Sequence, residues 1–473
     1  VNQNVAALIP EAALAAAAVI GLVAGSWLPR RRQWAVRALL AGACLIGLAA
    51  TTVSIAADRP ELVFENAFAI DAATNAGRLI VFAALLLVIC LSIDTVHAHK
   101  RESEFYVLLA LSATGVLALV GANDLLMLFA GYMLTSVPTY GLVGFAKDHL
   151  ATEAALKYYL IGALLSVLML AGVTLLYAAG HTTGYSELRP ALADAPTPLA
   201  ALGILGVYAG LLFKIGGVPA QFWVPDAVDG TPPPVAAYLT TLPKIGGLIA
   251  AYRVAHQALP ASPVNWPLLA AVLAAASMTL GNLAAFHQTS VKRLLGYSTI
   301  SQVGYLLIAV AVATRSGLAQ QSLLFYLAAY TVTNLGAFAV VAHLPHASRI
   351  DDYRGLAHRR PLLAAVLVVC LLGLVGTPPT AVFVGKLEVF TAAIDGGYGW
   401  LAALAVANTI ASLFYYLRWL VPAFQPAPDD RLADPLTPAG PWSALAAYTA
   451  GAGALVLGLI SGLALPLAAG PLR

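Results

Sequence analysis

Apolar runs of membrane-spanning length recur along this chain and leave little choice of fold. A hydrocarbon core about 30 Å thick needs roughly 20 helical residues to cross it. About fourteen runs approach or exceed that length: 6–27, 34–56, 78–96, 104–121, 124–145, 157–179, 198–228, 234–252, 266–286, 293–313, 319–343, 361–394, 398–420 and 442–468. Only 10% of the 473 residues are charged and 60% are hydrophobic, where a soluble protein carries about 25% charged residues. The fold class is therefore all-α integral membrane protein, with about 14 transmembrane helices.

The same composition excludes several functions. The net charge of +3 is small, and no basic run is interleaved with aromatics, so nucleic acid is not an expected partner. Cys44, Cys90 and Cys370 stand singly in apolar segments without metal-ligand or CxxC spacing, which argues for small packing residues rather than zinc or iron–sulfur ligands. The apolar run from Ala12 to Trp27 precedes the basic cluster Arg30-Arg31-Arg32. A signal peptide carries its positive charge in front, so the run is expected to be a retained first helix.

Orientation follows from the basic residues of the connections. Sixteen of the 25 Lys and Arg lie in or beside the loops after odd-numbered spans, among them Arg30, Lys100, Lys147, Lys292, Arg349 and Arg431. Six lie on the other side: Arg59, Arg78, Arg189, Arg253, Arg315 and Arg473. The asymmetry places both termini on the non-cytoplasmic side of a cell membrane, as an even number of spans requires.

Two spans are too long for one unbroken crossing. Segment 198–228 is interrupted at Gly217-Val218-Pro219, and segment 361–394 at Gly376-Thr377-Pro378-Pro379. Each break falls in the fourth span of a possible five-span unit, spans 4–8 and 9–13. An odd number of spans would invert the second unit relative to the first. Paired interrupted helices at corresponding positions point to an inverted-repeat transporter and its ion site. The expected organisation is N-terminal helices over 1–121, whose last span also opens the first repeat at 104–252, a second repeat over 266–420, and a loop and final helix over 421–473.

Three lysines lie inside spans: Lys214, Lys244 and Lys386. A lysine at the centre of a membrane helix costs about 2.5–3.5 kcal/mol on insertion scales and is rarely left there without a role. Lys214 precedes the first break, Lys244 follows Pro243 in the next span, and Lys386 lies beyond the second break. Broken backbone is tolerated in a membrane only against protein or a wet cavity, so the three read as proton-transfer groups on an ion path. Glu388 lies two residues from Lys386, about 200° away around a helix, and is not expected to pair with it. Snorkelling to the headgroups is the alternative for each lysine. Glu11, Asp94 and Asp124 sit at span ends, where carboxylates meet water or a helix N-terminus. Glu153 and Lys157 are spaced as a surface i,i+4 pair. His287 and His343 are placed near cytoplasmic ends and titrate in the range needed to load protons.

The stretches DLLMLFAGYMLTSVPTYGLVG (124–144), ALKYYLIGALLS (155–166), FKIGGVPAQFWVPDAVDGTPPPVAAYLTTLPKI (213–245), QTSVKRLLGYSTISQVGYLLI (288–308) and GTPPTAVFVGKLEVF (376–390) resemble one family. It is subunit N of bacterial proton-translocating NADH-quinone oxidoreductase (complex I), among the antiporter-like membrane subunits. The resemblance runs in order through nearly the whole chain. It implies fourteen helices with two inverted five-helix repeats, each containing a broken helix. Lys214 then matches the lysine of the first broken helix, Lys244 the bridging lysine, and Lys386 the lysine that exchanges protons with the far side. The resemblance further implies electron transfer from NADH to quinone through FMN and iron–sulfur clusters in partner subunits, with quinone bound elsewhere and no cofactor or metal in this chain. One position departs from the family. A glutamate is expected in the fifth helix beside the first broken-helix lysine, and Met133 stands there. The alternatives are a cation/proton antiporter subunit, or a structural complex I subunit impaired in pumping by that replacement.

Overall fold

A computed structural model describes residues 4–58, 60–97, 99–427 and 435–472 of the chain. Arg59, Arg431 and Arg473, used above for orientation, lie outside the described residues. The helices are α1 (Ile9–Trp27), α2 (Trp34–Ala57), α3 (Ala72–Val96), α4 (Glu102–Gly121), α5 (Leu125–Val143), α6 (His149–Gly180), α7 (Tyr185–Ala193), α8 (Thr197–Ile215), α9 (Val224–Asp229) and α10 (Pro233–Arg253). There follow α11 (Trp266–Ala285), α12 (Val291–Ala311), α13 (Ala319–His343), α14 (Leu356–Arg359), α15 (Pro361–Val375), α16 (Ala381–Asp395), α17 (Gly399–Phe424), α18 (Pro441–Leu459) and α19 (Ser461–Ala468). Among the described residues, twelve helices are long and apolar enough to cross a membrane. Helix α10 and the interrupted pair α15–α16 complete fourteen crossings.

The differences from the sequence reading have local causes. Helix α3 begins at Ala72 rather than 78 because Asp71 caps it, its carboxylate accepting from the Thr74 N–H. Helix α6 begins at His149 rather than 157 for the same reason, with Asp148 accepting from Ala151 N–H. Arg78 and Lys157 therefore lie within helices and not in connections. The last apolar run, 442–468, is two helices, α18 and α19. The fold is also not purely helical. Between α2 and α3 an antiparallel hairpin pairs β1 (Glu61–Val63) with β2 (Phe68–Ile70), Leu62 opposite Ala69.

Helix α12 is buried over 94% of its apolar window and α6 over only 28%, which orders the bundle from its protein-wrapped centre to its lipid-facing rim. Helices α10, α12 and α13 form that centre. Two ion pairs tie the N-terminal helices to it. Arg253, ending α10, donates from both terminal nitrogens to Asp71, at 2.7 and 2.9 Å. Arg78 on α3 donates to both carboxylate oxygens of Glu11 on α1, at 2.7 and 2.8 Å. Glu11 thus has a buried partner, and does not face water as its span-end position suggested.

Two isolated β-bridges occupy corresponding places. Asp124, which caps α5, bridges antiparallel to Gly184, and Ser290, which caps α12, bridges to Arg349. Leu125 N–H donates to Thr183 O at 2.9 Å, and Val291 N–H donates to Ser348 O at 3.1 Å. In both places the loop leaving a long helix returns to the start of the helix before it. From Gly131 the α5 sequence reads GYMLTSVPTY, and from Gly296 the α12 sequence reads GYSTISQVGY. Gly, Tyr, Ser and Tyr thus recur in one register, a match the weak overall similarity of the halves concealed.

Candidate functional site

The first break starts with glycine. Gly216 follows the last residue of α8 at φ +76°, a left-handed conformation that an L side chain resists. Its N–H and that of Gly217 both return to Leu212 O, at 2.8 and 2.9 Å, ending the helix by the usual left-handed cap. Two of the groups opened by the break find protein partners. Trp223 Nε1–H donates to Phe213 O at 3.1 Å, and Val218 N–H donates to the Ser277 hydroxyl at 3.0 Å.

Lys214 is fully buried on the last turn of α8. Its ammonium donates to Ser136 Oγ on α5 at 2.5 Å and lies 4.7 Å from the centre of the Tyr132 ring. Lys244 comes from the buried helix α10. Its Nζ lies 5.6 Å from the Trp223 ring centre, and a Cβ built at Gly216 would lie 3.3 Å from it. A Cβ at Gly247, one turn beyond Lys244, would lie 3.4 Å from Lys214 Cγ. The two lysines therefore pass each other beside the break, through space left by two glycines. No protein atom among the described residues accepts a hydrogen bond from Lys244 Nζ.

The second break repeats the plan with the lysine on its other arm. Gly376 ends α15 at φ +93°. Its last carbonyls are taken by polar side chains: Gln302 Nε2 donates to Leu374 O at 2.9 Å, and Lys386 Nζ donates to Val375 O at 2.8 Å. Lys386 also lies 4.2 Å from the Tyr305 ring centre and 3.4 Å from Thr409 Oγ1. Among the described residues, no carboxylate lies within 4.0 Å of any of the three ammonium groups. Each is held by neutral oxygens or aromatic faces, which attract a cation through dipole and quadrupole alone.

Buried polar side chains fill the interval between Lys244 and Lys386. Tyr330 on α13 donates to Thr240 O on α10 at 2.7 Å and lies 3.0 Å from the Thr299 hydroxyl on α12. Asn334 Nδ2 donates to Thr240 Oγ1 at 2.9 Å. One turn along α12 from Thr299, Gln302 Oε1 accepts from Tyr326 at 2.5 Å, and the same amide reaches the second break. One turn along α5 from Ser136, the hydroxyl of Thr139 lies 2.9 Å from that of Ser112, which accepts from Tyr238 on α10 at 2.6 Å.

The other sequence candidates fall apart from this line. Glu388 is half-buried and makes no hydrogen bond or ion pair among the described residues. His287 is exposed at the end of α11, its Nδ1 3.4 Å from Leu283 O. His343 pairs with Ser443 at 3.0 Å, and Ser443 in turn donates to Asp94. Glu153 and Lys157 are joined at 2.7 Å, and Lys157 also reaches Asp226 at 2.8 Å. Met133 packs half-buried against the core between Tyr132 and Ser136. Those two neighbours, which hydropathy reading passed over, make the contacts to Lys214.

Residues 122–412 match the family model described as NADH:quinone oxidoreductase/Mrp antiporter, TM. NADH-quinone oxidoreductase subunit N 1 of Streptomyces griseus is 57% identical over 465 residues, covering 98% of both chains. The subunit N of Mycobacterium sp. (strain JLS) is 51% identical over 446 residues, covering 94% of each. The chain belongs to the NADH-quinone oxidoreductase subunit N family. Among solved structures, a chain of respiratory complex I from Thermus thermophilus with bound aureothin superposes with a TM-score of 0.84. It is 31% identical, with 98% of this chain and 100% of that one covered. A chain of the Mrp complex from Dietzia sp. DQ12-45-1b gives a TM-score of 0.85 at 22% identity, covering 99% and 97%, which extends the fold and nothing more to that assembly. Subunit N is a membrane subunit without a redox site of its own, and its partners are other membrane subunits. The described residues hold no group of three or more His, Cys, Asp or Glu arranged for a metal.

Proposed function

We propose that this chain carries protons across the cell membrane through Lys214, Lys244 and Lys386, driven by electron transfer from NADH to quinone in partner subunits. The supporting observation is the placement of three buried ammonium groups at the two breaks, with hydroxyl and amide side chains packed between them. Lys386, on the outer arm of the second break, exchanges its proton with the non-cytoplasmic side. Water completes the path where Lys244 lacks a protein acceptor. The matched bridges and the shared Gly-Tyr-Ser-Tyr register support two repeats, over 104–252 and 266–420, in opposite orientations. Both termini lie outside the cytoplasm in this reading. The outward basic set supports it, because Arg78 and Arg253 are consumed in internal ion pairs and leave few free positive charges on that side.

Met133 favours one second reading, a structural subunit that no longer pumps. A single experiment separates the two. Complex carrying Lys214→Ala is reconstituted in vesicles, and protons moved per electron are measured. A lowered ratio supports the lysine path; a wild-type ratio leaves the structural role.

A further inference from the structure

Helix α12 holds both broken helices, by charge at its start and by an amide further along. Its cap and first turn grip α9, the second arm of the first break. The Ser290 hydroxyl donates to Asp229 Oδ1 at 2.7 Å, and Lys292 Nζ donates to the carbonyls of Asp229 and Thr231. Arg293 donates to Asp226 Oδ1 at 2.7 Å, while the other oxygen of Asp226 accepts from Lys157 on α6 at 2.8 Å. One turn on, the two helices nearly touch: a Cβ built at Gly296 would lie 3.4 Å from Pro225 Cα. Trp223, at the head of α9, donates to Phe213 O and stands beside Lys244. A displacement of α9 therefore moves one wall of the lysine site.

The same helix reaches the second break. Gln302 Nε2 holds Leu374 O at the end of α15, and the Tyr305 ring faces Lys386 Nζ at 4.2 Å. From Ser290 to Tyr305 the rise is about 22 Å. Helix α12 is almost wholly enclosed by protein, and a packed element of this kind shifts as a unit rather than deforming gradually. The grip on α9 is peculiar to α12. Two and three residues after the capping Asp124, α5 has Leu126 and Met127; at the same steps after Ser290, α12 has Lys292 and Arg293. Cations that served orientation alone would face water, whereas these two are half-buried and bound to α9.

We infer that α12 couples the two breaks, with Arg293 and Gln302 as positioning residues at its two grips. A shift of α9 is carried along α12 to the last turn of α15, and so to Lys386. The use of this coupling in proton transfer rests on the path proposed above; the coupling itself can be read without pumping.

Two native cysteines supply that reading in the intact complex. Cys370 is buried one turn before Leu374 on α15, and a Cβ at Gly336 would lie 2.6 Å from its Sγ. Cys44 is buried on α2 and reports general loosening. Both are alkylated with N-ethylmaleimide, and the rates are followed by mass spectrometry of this chain's peptides. Gln302→Leu, which cuts the second grip, is expected to speed alkylation of Cys370. Arg293→Gln should do so from the far end by about two- to fivefold, the factor a partly exposed ion pair supplies. Arg293→Lys should restore the wild-type rate, since Asp226 takes a single bond from Arg293. The double variant should react no faster than Gln302→Leu alone, because the two grips act through one helix. An unchanged Cys370 rate in Arg293→Gln, additive effects in the double variant, or a parallel rise at Cys44 overturns the coupling. Protons moved per electron should fall in Arg293→Gln and recover in Arg293→Lys. A wild-type ratio beside a faster Cys370 overturns the use of the coupling in proton transfer and leaves the strut itself intact.

Discussion

The ammonium of Lys214 is 2.5 Å from the hydroxyl of Ser136, a neutral acceptor where a buried ion pair would have a carboxylate. Ser136 Oγ also donates to Tyr132 O at 2.7 Å, so its lone pairs are turned toward the lysine. A neutral acceptor binds a charged lysine more weakly than an anion would. The lysine can then release its proton without leaving a buried carboxylate unpaired.

Removing that acceptor should uncouple the subunit. A hydrogen bond to a charged group contributes about 1.5–3 kcal/mol. Ser136→Ala is accordingly expected to slow proton transfer at Lys214 by about 10- to 100-fold. Protons per electron, measured in vesicles, should fall while NADH oxidation by uncoupled complex is retained. Ser136→Thr keeps the hydroxyl and should recover most of the ratio.

Lys386 should be equally necessary on the other arm. Lys386→Met preserves length and apolar packing but removes the donor to Val375 O. The expectation is loss of this subunit's share of the proton gradient, read by a pH-sensitive dye, with the complex still assembled. A gradient equal to wild type would exclude Lys386 from the path.

Gly216 makes two separable demands on its position. A residue with a side chain at positive φ costs about 1–2 kcal/mol. Its Cβ would also lie 2.8 Å from Val224 Cγ2 and 3.3 Å from Lys244 Nζ. Gly397 has φ +81° with nothing within 4 Å, so Gly397→Ala measures the backbone cost alone. Gly216→Ala should lower the thermal inactivation midpoint further and also reduce pumping. Gly397→Ala should leave pumping intact.

The Arg253–Asp71 pair should be a structural keystone. Removing one partner of a buried ion pair destabilises by about 3–5 kcal/mol, because the other charge is left without compensation. Asp71→Ala is expected to reduce the amount of assembled complex, as read on native gels, and to lower its thermal midpoint. Replacing both residues with leucine should restore part of the loss.

The lysines and the breaks were legible because each violates a rule of membrane helices: charge in an apolar run, or Gly and Pro inside one. Ser136 was not. A serine in such a run usually bonds back to its own helix, as Ser136 also does, and nothing local reveals a lysine 78 residues away. The Arg78–Glu11 and Arg253–Asp71 pairs were hidden by the same distance in sequence. Asp71 and Asp148 capped helices whose polar first turns a hydropathy window discards. The hairpin 61–70 was too short for alternation to register. The likeness of α5 and α12 is confined to four residues in ten, and the matched bridges locate it only to within one residue, Gly131 lying seven positions after Asp124 and Gly296 six after Ser290.

Helix α10 has protein on every side and carries Lys244, Thr240, Thr241 and three prolines, at 233, 234 and 243, with Pro232 just ahead of it. It is not apolar enough to stand among the twelve candidate spans. Such a segment gains little by partitioning from the translocon into acyl chains. Its entry into the bilayer must therefore wait on companions. During synthesis α3, α4 and α8 are already in place to receive it, but α12 and α13 emerge later. Until they arrive, the most polar crossing of the chain stands half-sheltered, a substrate for quality-control proteases if elongation stalls.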